Sequence, residues 1–142
     1  MKDKVFLDTN VLVYAKLEDE GNTEKRGTAT AVIRQIQGYP VISVQVLNEF
    51  SSVLIKHHVS NHKIEEAIQE IIEGSVVVPL DVALIWETWR IRAKYLFSYW
   101  DSMIIATALI AECNILYSED LQHEQLIENQ LRIMNPFYEK RI

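Results

Sequence analysis

Four acidic residues, spread along most of the chain, have the types and positions needed for metal-assisted chemistry. They are Asp8, Glu49, Asp101 and Asp120. Each lies at or near the C-terminal end of an apolar run, or in the first turns of the helix predicted to follow it. In a parallel α/β sheet such positions converge on one edge, where ligands bind. Clustered carboxylates repel one another unless a hard cation lies between them, so the set predicts a Mg²⁺ or Mn²⁺ site that acts on phosphate.

The first two acids also have ordinary structural interpretations. Asp8 directly follows a buried apolar run, where a carboxylate is costly unless it is paired or bound. It can also cap the next helix, although Thr9 or Asn10 can do the same. Glu49 lies at the boundary between the polar and apolar faces of its predicted helix, where a solvated glutamate is common. Its position one turn after the end of a strand favours a functional role.

The other two acids are ambiguous in the same way. Asp101 can be a first-turn acid that the helix dipole favours, and the apolar helix after it predicts a partly buried start. Asp120 follows a predicted strand and has a competing neighbour, Glu119. Each acid alone is a weak signal. Four of them at four separate positions on one edge would be an improbable accident.

Short apolar runs and helical spacing of apolar residues define the elements that position these acids. The predicted strands are Val5–Leu7, Val41–Ser43, Val76–Val78, Ile115–Tyr117 and Leu131–Met134. A polar loop is predicted over residues 18–25. The predicted helices cover about 9–16, 26–37, 44–57, 61–73 (capped by Asn61), 81–95 and 101–112, with a short one near His123.

Strands that alternate with helices predict an α/β fold: a three-layer α/β/α sandwich with a central, mostly parallel sheet of short strands. The strands are apolar on both faces, as expected where helices cover both sides of the sheet. A length of 142 residues predicts one domain over 1–142.

Bulk composition limits the function classes and the compartment. The net charge of −6, from 20 acids and 14 bases, argues against non-specific duplex binding by a positively charged surface. The acidic net charge is compatible with a nucleic-acid enzyme that uses a bound cation, and with a basic partner protein. The single cysteine, Cys113, fits a reducing compartment. No membrane-spanning stretch or signal-peptide layout is visible, so we expect a cytoplasmic protein.

Four segments resemble, in order and spacing, the motifs of PIN-domain ribonucleases, and together they cover nearly the whole chain. They are Val5-Phe6-Leu7-Asp8-Thr9-Asn10, Val46-Leu47-Asn48-Glu49-Phe50, Ser98-Tyr99-Trp100-Asp101-Ser102 and Leu116-Tyr117-Ser118-Glu119-Asp120. The resemblance implies a PIN-like fold and a Mg²⁺- or Mn²⁺-dependent endoribonuclease whose products carry 5′-phosphate and 3′-hydroxyl ends. The size is similar to that of VapC-type toxins, which implies an RNA substrate, a cognate antitoxin and a homodimer.

The resemblance also assigns roles to individual residues. Asp8, Asp101 and Asp120 would hold the metal directly or through water, and Glu49 would complete its surroundings. The polar neighbours that would orient these carboxylates are Thr9, Asn10 and Ser118. The fourth motif, which supplies Asp120, is the most variable in the family.

A basic and aromatic helix precedes the third motif. Arg90, Arg92 and Lys94 either guide RNA toward the acids or form a solvated helix face. Trp86 and Trp89 are three residues apart on the same helix, which favours core packing or a subunit interface over stacking on bases.

Other functions remain as alternatives. The nearest is a solitary PIN-type nuclease that processes RNA. A haloacid-dehalogenase-like phosphatase would need a second aspartate where Asn10 stands. A receiver domain with Asp81 as phosphoacceptor would need paired acids after the first strand. A PIN-like protein that only binds RNA would not need all four acids.

Overall fold

A computed structural model describes residues 2–18 and 20–138 and shows the expected three-layer α/β/α sandwich. The strands are β1 Val5–Leu7, β2 Val41–Ser43, β3 Val76–Val78, β4 Ile115–Tyr117, β5 Leu126–Ile127 and β6 Leu131–Met134. The α-helices are α1 Thr9–Lys16, α2 Thr23–Gln35, α3 Val44–Lys56, α4 Asn61–Glu73, α5 Val82–Tyr95 and α6 Tyr99–Ile110.

The strands described here form one sheet in the order β3-β2-β1-β4-β6-β5. All neighbouring pairs are parallel except β5 and β6, which are antiparallel. From β1 the chain builds outward on one side through β2 and β3. It then returns to β4 on the other side of β1. This reversal creates a topological switch point beside β1, the place where open α/β sheets bind ligands.

The register aligns the C-terminal ends of the central strands. Leu7 at the end of β1 lies opposite Tyr117 at the end of β4, which in turn lies opposite Met134. On the other side of β1, Ser43 ends β2 opposite Val78. Residues that follow these strands therefore emerge along one edge of the sheet.

The core contains the central strands and much of α6. Phe6, Phe50 and Ile105 are fully buried, and every residue of α6 from 102 to 108 is buried. Helix α6 packs against α5, while α1 contacts both α2 and α3, and α3 contacts α4. None of the helices in the described part of the chain is long and apolar enough to cross a membrane.

Two predicted helix starts are displaced by serine caps. Helix α6 begins before Asp101, because the Oγ of Ser98 accepts the Asp101 N–H at 3.1 Å and so fixes Ser98 as the N-cap. The N-cap of α4 is Ser60 rather than Asn61. In both cases a serine oxygen satisfies a first-turn N–H that has no partner inside the helix.

The loop predicted over 18–25 is wrong in part. Glu20–Asn22 forms a short 3-10 helix, and α2 already begins at Thr23; Asp19 lies outside the described residues. Helix α2 ends at Gln35, two residues before the predicted end, and Gly38 follows with a positive φ of 80°. Polarity marked this stretch as a loop, but exposed polar residues also form the solvent face of a helix.

The short helix predicted near His123 is wrong, because a β-hairpin made by β5 and β6 takes its place. Glu128 and Asn129 occupy its turn with φ values of 53° and 54°, and the Gln130 N–H donates to the Ile127 carbonyl at 3.0 Å. Because Ile127 pairs with Leu131, the loop has three residues, and the positive φ values at its first two positions give it a twist that matches that of the flanking strands.

Candidate active site

Asp8 directly follows β1 at the C-terminal end of that strand, and electrostatic repulsion couples it to Glu49 and Asp120. It is 4% exposed and is the N-cap of α1, a role that the sequence had left open among Asp8, Thr9 and Asn10. Its Oδ1 accepts the Thr9 N–H at 2.7 Å, and its Oδ2 accepts the hydroxyl of Ser118 at 2.8 Å. One carboxylate oxygen of Asp8 therefore caps α1, while the other contacts Ser118, which follows the neighbouring strand β4. Capping does not prevent the proposed functional role.

The protonation of Asp8 reflects its burial. Desolvation raises the pKa of this carboxyl from 3.8 to about 7, and the hydrogen bonds from Ser118 and Thr9 offset only part of the effect. Repulsion from Glu49 and Asp120 raises the pKa further. A buried carboxyl with such a pKa lacks a positive partner, and perturbed groups of this kind are common at functional sites.

Glu49 is half-buried one turn into α3 and is held from two sides. The Thr9 hydroxyl donates to its Oε2 at 2.8 Å, and the Gln45 amide donates to its Oε1 at 2.8 Å. Thr9 therefore links two of the acids, since its N–H bonds Asp8 while its side chain bonds Glu49.

Asp120 is exposed at the end of the loop that follows β4, and two polar neighbours fix it. The Asn10 amide donates to its Oδ2 at 3.0 Å, and its own N–H donates to the Ser118 Oγ at 3.2 Å. The Ser118 hydroxyl is fully buried and bridges Asp8 to the backbone of Asp120. The orienting residues suggested by the sequence all contact one of the acids.

Glu119, the competing acid beside Asp120, points to different partners. The Tyr14 hydroxyl donates to its Oε1 at 2.6 Å, and Lys25 donates to its Oε2 at 2.6 Å. Burial and this bond raise the pKa of the Tyr14 hydroxyl, and the bond from Lys25 to Glu119 raises the pKa of Lys25. These contacts tie the loop after β4 to α1 and α2, and they leave Asp120 as the acid beside Asp8.

Asp101 completes the group from the first turn of α6. Partial burial raises its pKa, Ser98 opposes the rise, and repulsion from Asp120 and Glu49 adds to it. Glu49 and Asp120 also repel Asp8. These two acids therefore link Asp8 and Asp101 electrostatically.

The four acids have no basic ion-pair partner among the described residues. Among the ion pairs formed within 2–18 and 20–138, none includes any of the four acids. Their oxygen atoms are the ligand type that Mg²⁺ and Mn²⁺ prefer. The same residues contain no ready-made group of three or more carboxylate, imidazole or thiol side chains that could hold an ion alone. Mg²⁺ is commonly held by one or two carboxylates while it keeps several of its waters.

Gln45 is a member of the site that the sequence reasoning missed. It is buried, its Nε2 also donates to the Trp100 carbonyl at 3.2 Å, and its Oε1 has no hydrogen-bond partner. It thereby connects Glu49 on α3 to the start of α6, next to Asp101. The available signal was its spacing four residues before Glu49, which puts both side chains on one face of a helix.

The three predicted RNA contacts have different surroundings. Arg90 pairs with Glu87 and Glu128, and Lys94 also pairs with Glu128. The pairs of Lys94 and Arg90 with Glu128 bind α5 to the turn of the β5–β6 hairpin, and together with Tyr95 they lower the pKa of Glu128 to about 2. Arg92 instead donates to the Phe97 carbonyl at 2.6 Å, in the loop that leads to Asp101. None of the three contacts an acid of the site.

The domain is an open, mostly parallel α/β/α sandwich with a group of unneutralised carboxylates at its switch point. Proteins with open α/β sheets bind ligands at this edge. The PIN domain family model matches residues 5–128, so this chain belongs to the PIN domain family. A comparison with curated proteins finds no match. The haloacid-dehalogenase-like and receiver-domain alternatives receive no support from this family membership.

Solved structures share the fold at low sequence identity. A toxin–antitoxin complex from Klebsiella pneumoniae has a TM-score of 0.72 at 16% identity, over 94% of this chain and 98% of that one. VapC20 of Mycobacterium tuberculosis, a toxin that cleaves the sarcin–ricin loop, has a TM-score of 0.67 at 16% identity, over 80% of this chain and 87% of that one. VapBC2 from Rickettsia felis, bound to a promoter DNA fragment, has a TM-score of 0.63 at 17% identity, over 92% and 97%.

Proposed function

We propose that this protein is a Mg²⁺- or Mn²⁺-dependent endoribonuclease that hydrolyses RNA phosphodiester bonds, and that it is the toxin of a type II toxin–antitoxin pair. The observation that carries the proposal is the group of four carboxylates with no basic partner among the described residues. Membership in the PIN domain family supports it. The similar fold of VapC20, a toxin that cleaves the sarcin–ricin loop, supports the choice of RNA.

The acids would act together on one scissile phosphate. Asp8, Asp101 and Asp120 would hold the ion, directly or through water, and Glu49 would complete its surroundings. When bound, such an ion supplies an activated water and stabilises the charge that develops on the phosphoryl oxygens. The chain's own contribution is to orient the acids and to keep them free of competing basic side chains.

Three polar residues perform this orientation. Ser118 fixes Asp8 Oδ2, Thr9 fixes Glu49, and Asn10 fixes Asp120. Such partners restrict the carboxylates to the rotamers that can contact an ion. Because burial lets Asp8 keep its proton up to about pH 7, binding a cation must release that proton.

The partners follow from the same proposal. The neighbours described as toxin–antitoxin complexes support a cognate antitoxin, and the net charge of −6 suits a partner with a basic segment. We further propose a homodimer that acts in the cytoplasm, where RNA is accessible and where the single buried Cys113 would stay reduced.

Induced expression in a bacterial host tests the toxin and the nuclease together. The wild type should arrest growth and create new RNA 5′-phosphate ends, read by sequencing of RNA ends. Asp101→Asn should restore growth and remove those ends, because it deletes one of the acids without removing the side-chain volume. New ends without growth arrest would favour a solitary RNA-processing nuclease. Growth arrest that persists in Asp101→Asn, without new ends, would refute ribonuclease action.

Replacing Ser118 with alanine should reduce kcat by about 10- to 100-fold with little change in KM. The variant loses the donor to Asp8 Oδ2 and the acceptor for the Asp120 N–H, so both acids become less ordered. Steady-state cleavage of a defined RNA measures the effect. Ser51→Ala is the matched control, because its hydroxyl bonds only the Leu47 carbonyl inside α3 among the contacts described. An unchanged kcat in Ser118→Ala would contradict the orienting role.

A further inference from the structure

Three aromatic rings form a continuous strip across the junction of α5 and α6. The ring centroids of Trp89 and Tyr99 are 5.4 Å apart, and those of Tyr99 and Trp100 are also 5.4 Å apart. Trp89 is 51% exposed and Trp100 is 61% exposed. The sequence favoured core packing or a subunit interface for Trp89. Core packing is excluded, because the Trp89 and Trp100 rings are both exposed.

The strip is joined to the acid group at one end. Trp100 immediately precedes Asp101, and its carbonyl accepts a hydrogen bond from Gln45, which also bonds Glu49. The backbone that carries the Trp100 ring is thus held by the network that holds two of the acids. Anything stacked on this ring would lie beside the candidate active site.

Arg92, a cation with no acidic partner among the described residues, accompanies the strip. Arg92 lies three residues after Trp89 on α5, so the two side chains share one side of the helix. It is exposed, and within the described ranges it forms no ion pair, unlike Arg90 with Glu87 and Glu128. Its contact with the Phe97 carbonyl uses one of its five N–H groups, which leaves the others for a phosphate.

We propose that Trp89, Tyr99, Trp100 and Arg92 form a single-strand binding strip for the substrate of the proposed nuclease. Unpaired bases that flank the scissile phosphate stack on the exposed rings, while Arg92 contacts a backbone phosphate. Exposed aromatic rings next to a cation are the usual platform for single-stranded nucleic acid, since every base offers a π face. The proposal rests on the proposed ribonuclease function and adds that the RNA beside the cleavage point is unpaired.

The competing occupant of this surface is a second copy of the chain. Val82 and Trp86, each 70% exposed, extend the apolar side of α5 away from the acids. A subunit interface would use these residues at least as much as Trp89. Stacking on bases would depend on Trp89 and Trp100, which are joined through Tyr99. Trp86 is therefore a matched control: a tryptophan on the same helix, more exposed than Trp89, and outside the strip.

Binding of a fluorescein-labelled, single-stranded RNA 12-mer, followed by fluorescence anisotropy, tests the strip. All proteins carry Asp8→Asn, so that Mg²⁺ can be present without cleavage. Trp100→Ala and Trp89→Ala should each weaken binding about tenfold. Trp100→Phe should recover most of that loss because it restores a ring. Trp86→Ala should bind like the parent, and Arg92→Ala should reduce the salt dependence by about one phosphate contact.

Light scattering on the same variants reports the oligomeric state. Unchanged RNA binding in Trp100→Ala and Trp89→Ala would overturn the strip. A change from dimer to monomer in Trp86→Ala and Trp89→Ala, with RNA binding unchanged, would overturn it and assign this surface to a contact between copies. If the wild type cleaves RNA normally but the variants bind RNA as well as the parent, the strip is rejected and the proposed nuclease function stands. Tryptophan-dependent binding without any cleavage by the wild type would support the strip and reject the nuclease.

Discussion

Replacing Asp8 with asparagine is expected to reduce RNA cleavage about a thousandfold or more, because a direct or water-mediated metal ligand contributes several kcal/mol at the transition state. Asparagine has the same shape, and its carbonyl can still accept the Thr9 N–H that now bonds Asp8 Oδ1. The variant loses the ionisable carboxyl of Asp8 while keeping the cap of α1. Initial rates with a defined RNA and saturating Mg²⁺ measure the effect.

Asp81→Asn is the matched control for this experiment. Asp81 is also the N-cap of a helix, with its Oδ1 accepting the Leu84 N–H at 2.9 Å, and it belongs to none of the contacts of the acid group. Asparagine is as good a cap as aspartate, so this variant should fold and cleave like the wild type. Full activity in Asp8→Asn, or equal losses in both variants, would argue against the assigned role of Asp8.

The metal-free protein is expected to lose stability as the pH rises from about 4 to 7. Folding raises the pKa of Asp8 from 3.8 to about 7, so over this range the folded state holds a proton that the unfolded state has released. Stability must therefore fall with rising pH, by about 4 kcal/mol at most, and level off above pH 7. The raised pKa of Asp101 acts in the same direction.

Two changes should remove most of this loss. Asp8→Asn has no carboxyl to deprotonate, so in EDTA at pH 7.5 it should unfold at a higher temperature than the wild type. Mg²⁺ or Mn²⁺ should stabilise the wild type at pH 7.5, by about 2.7 kcal/mol at a concentration of 100 times Kd. Thermal unfolding in EDTA and in Mg²⁺, at several pH values, measures both effects. If the metal-free wild type becomes more stable between pH 4 and 7, burial of Asp8 does not raise its pKa as described.

The position of Asp8 could be predicted from the sequence because its cause is local. A short apolar run that ends in an aspartate specifies a buried strand and the residue that leaves it, and the parallel topology then brings Leu7 and Tyr117 to the same edge. The same logic located Asp120 after β4. Helical spacing placed Glu49 on α3, but only the packing of α3 against α1 decides that it faces Thr9.

The hairpin at the end of the chain could not be predicted in the same way. Its turn needs positive φ at both Glu128 and Asn129, and glutamate is not a residue that usually signals such a turn. The unfavourable φ of Glu128 is offset by contacts from α5, more than thirty residues earlier in the chain. The Glu128 side chain binds Arg90, Lys94 and Tyr95. Long-range contacts of this kind leave no local pattern.

The choice between Glu119 and Asp120 shows the same limit within the site. Adjacent acids in a loop are equivalent by composition. Tyr14 and Lys25, contributed by α1 and α2, bind Glu119, while Asn10 binds Asp120. The sequence could favour Asp120 over Glu119 only because the segment resembles a known motif. The physical reason that Asp120 lies beside Asp8 is the packing of α1 and α2 against the loop.

Direct binding of Mn²⁺ is the measurement that tests the metal site most sharply. The free ion can be followed by electron paramagnetic resonance during titration at pH 7.5, without RNA and without any dependence on turnover. The wild type and Asp81→Asn should bind Mn²⁺ with the same Kd, and Asp8→Asn should bind at least about tenfold more weakly. Equal Mn²⁺ affinity in all three proteins, or no binding by the wild type, would contradict the proposal that the four acids form one metal site.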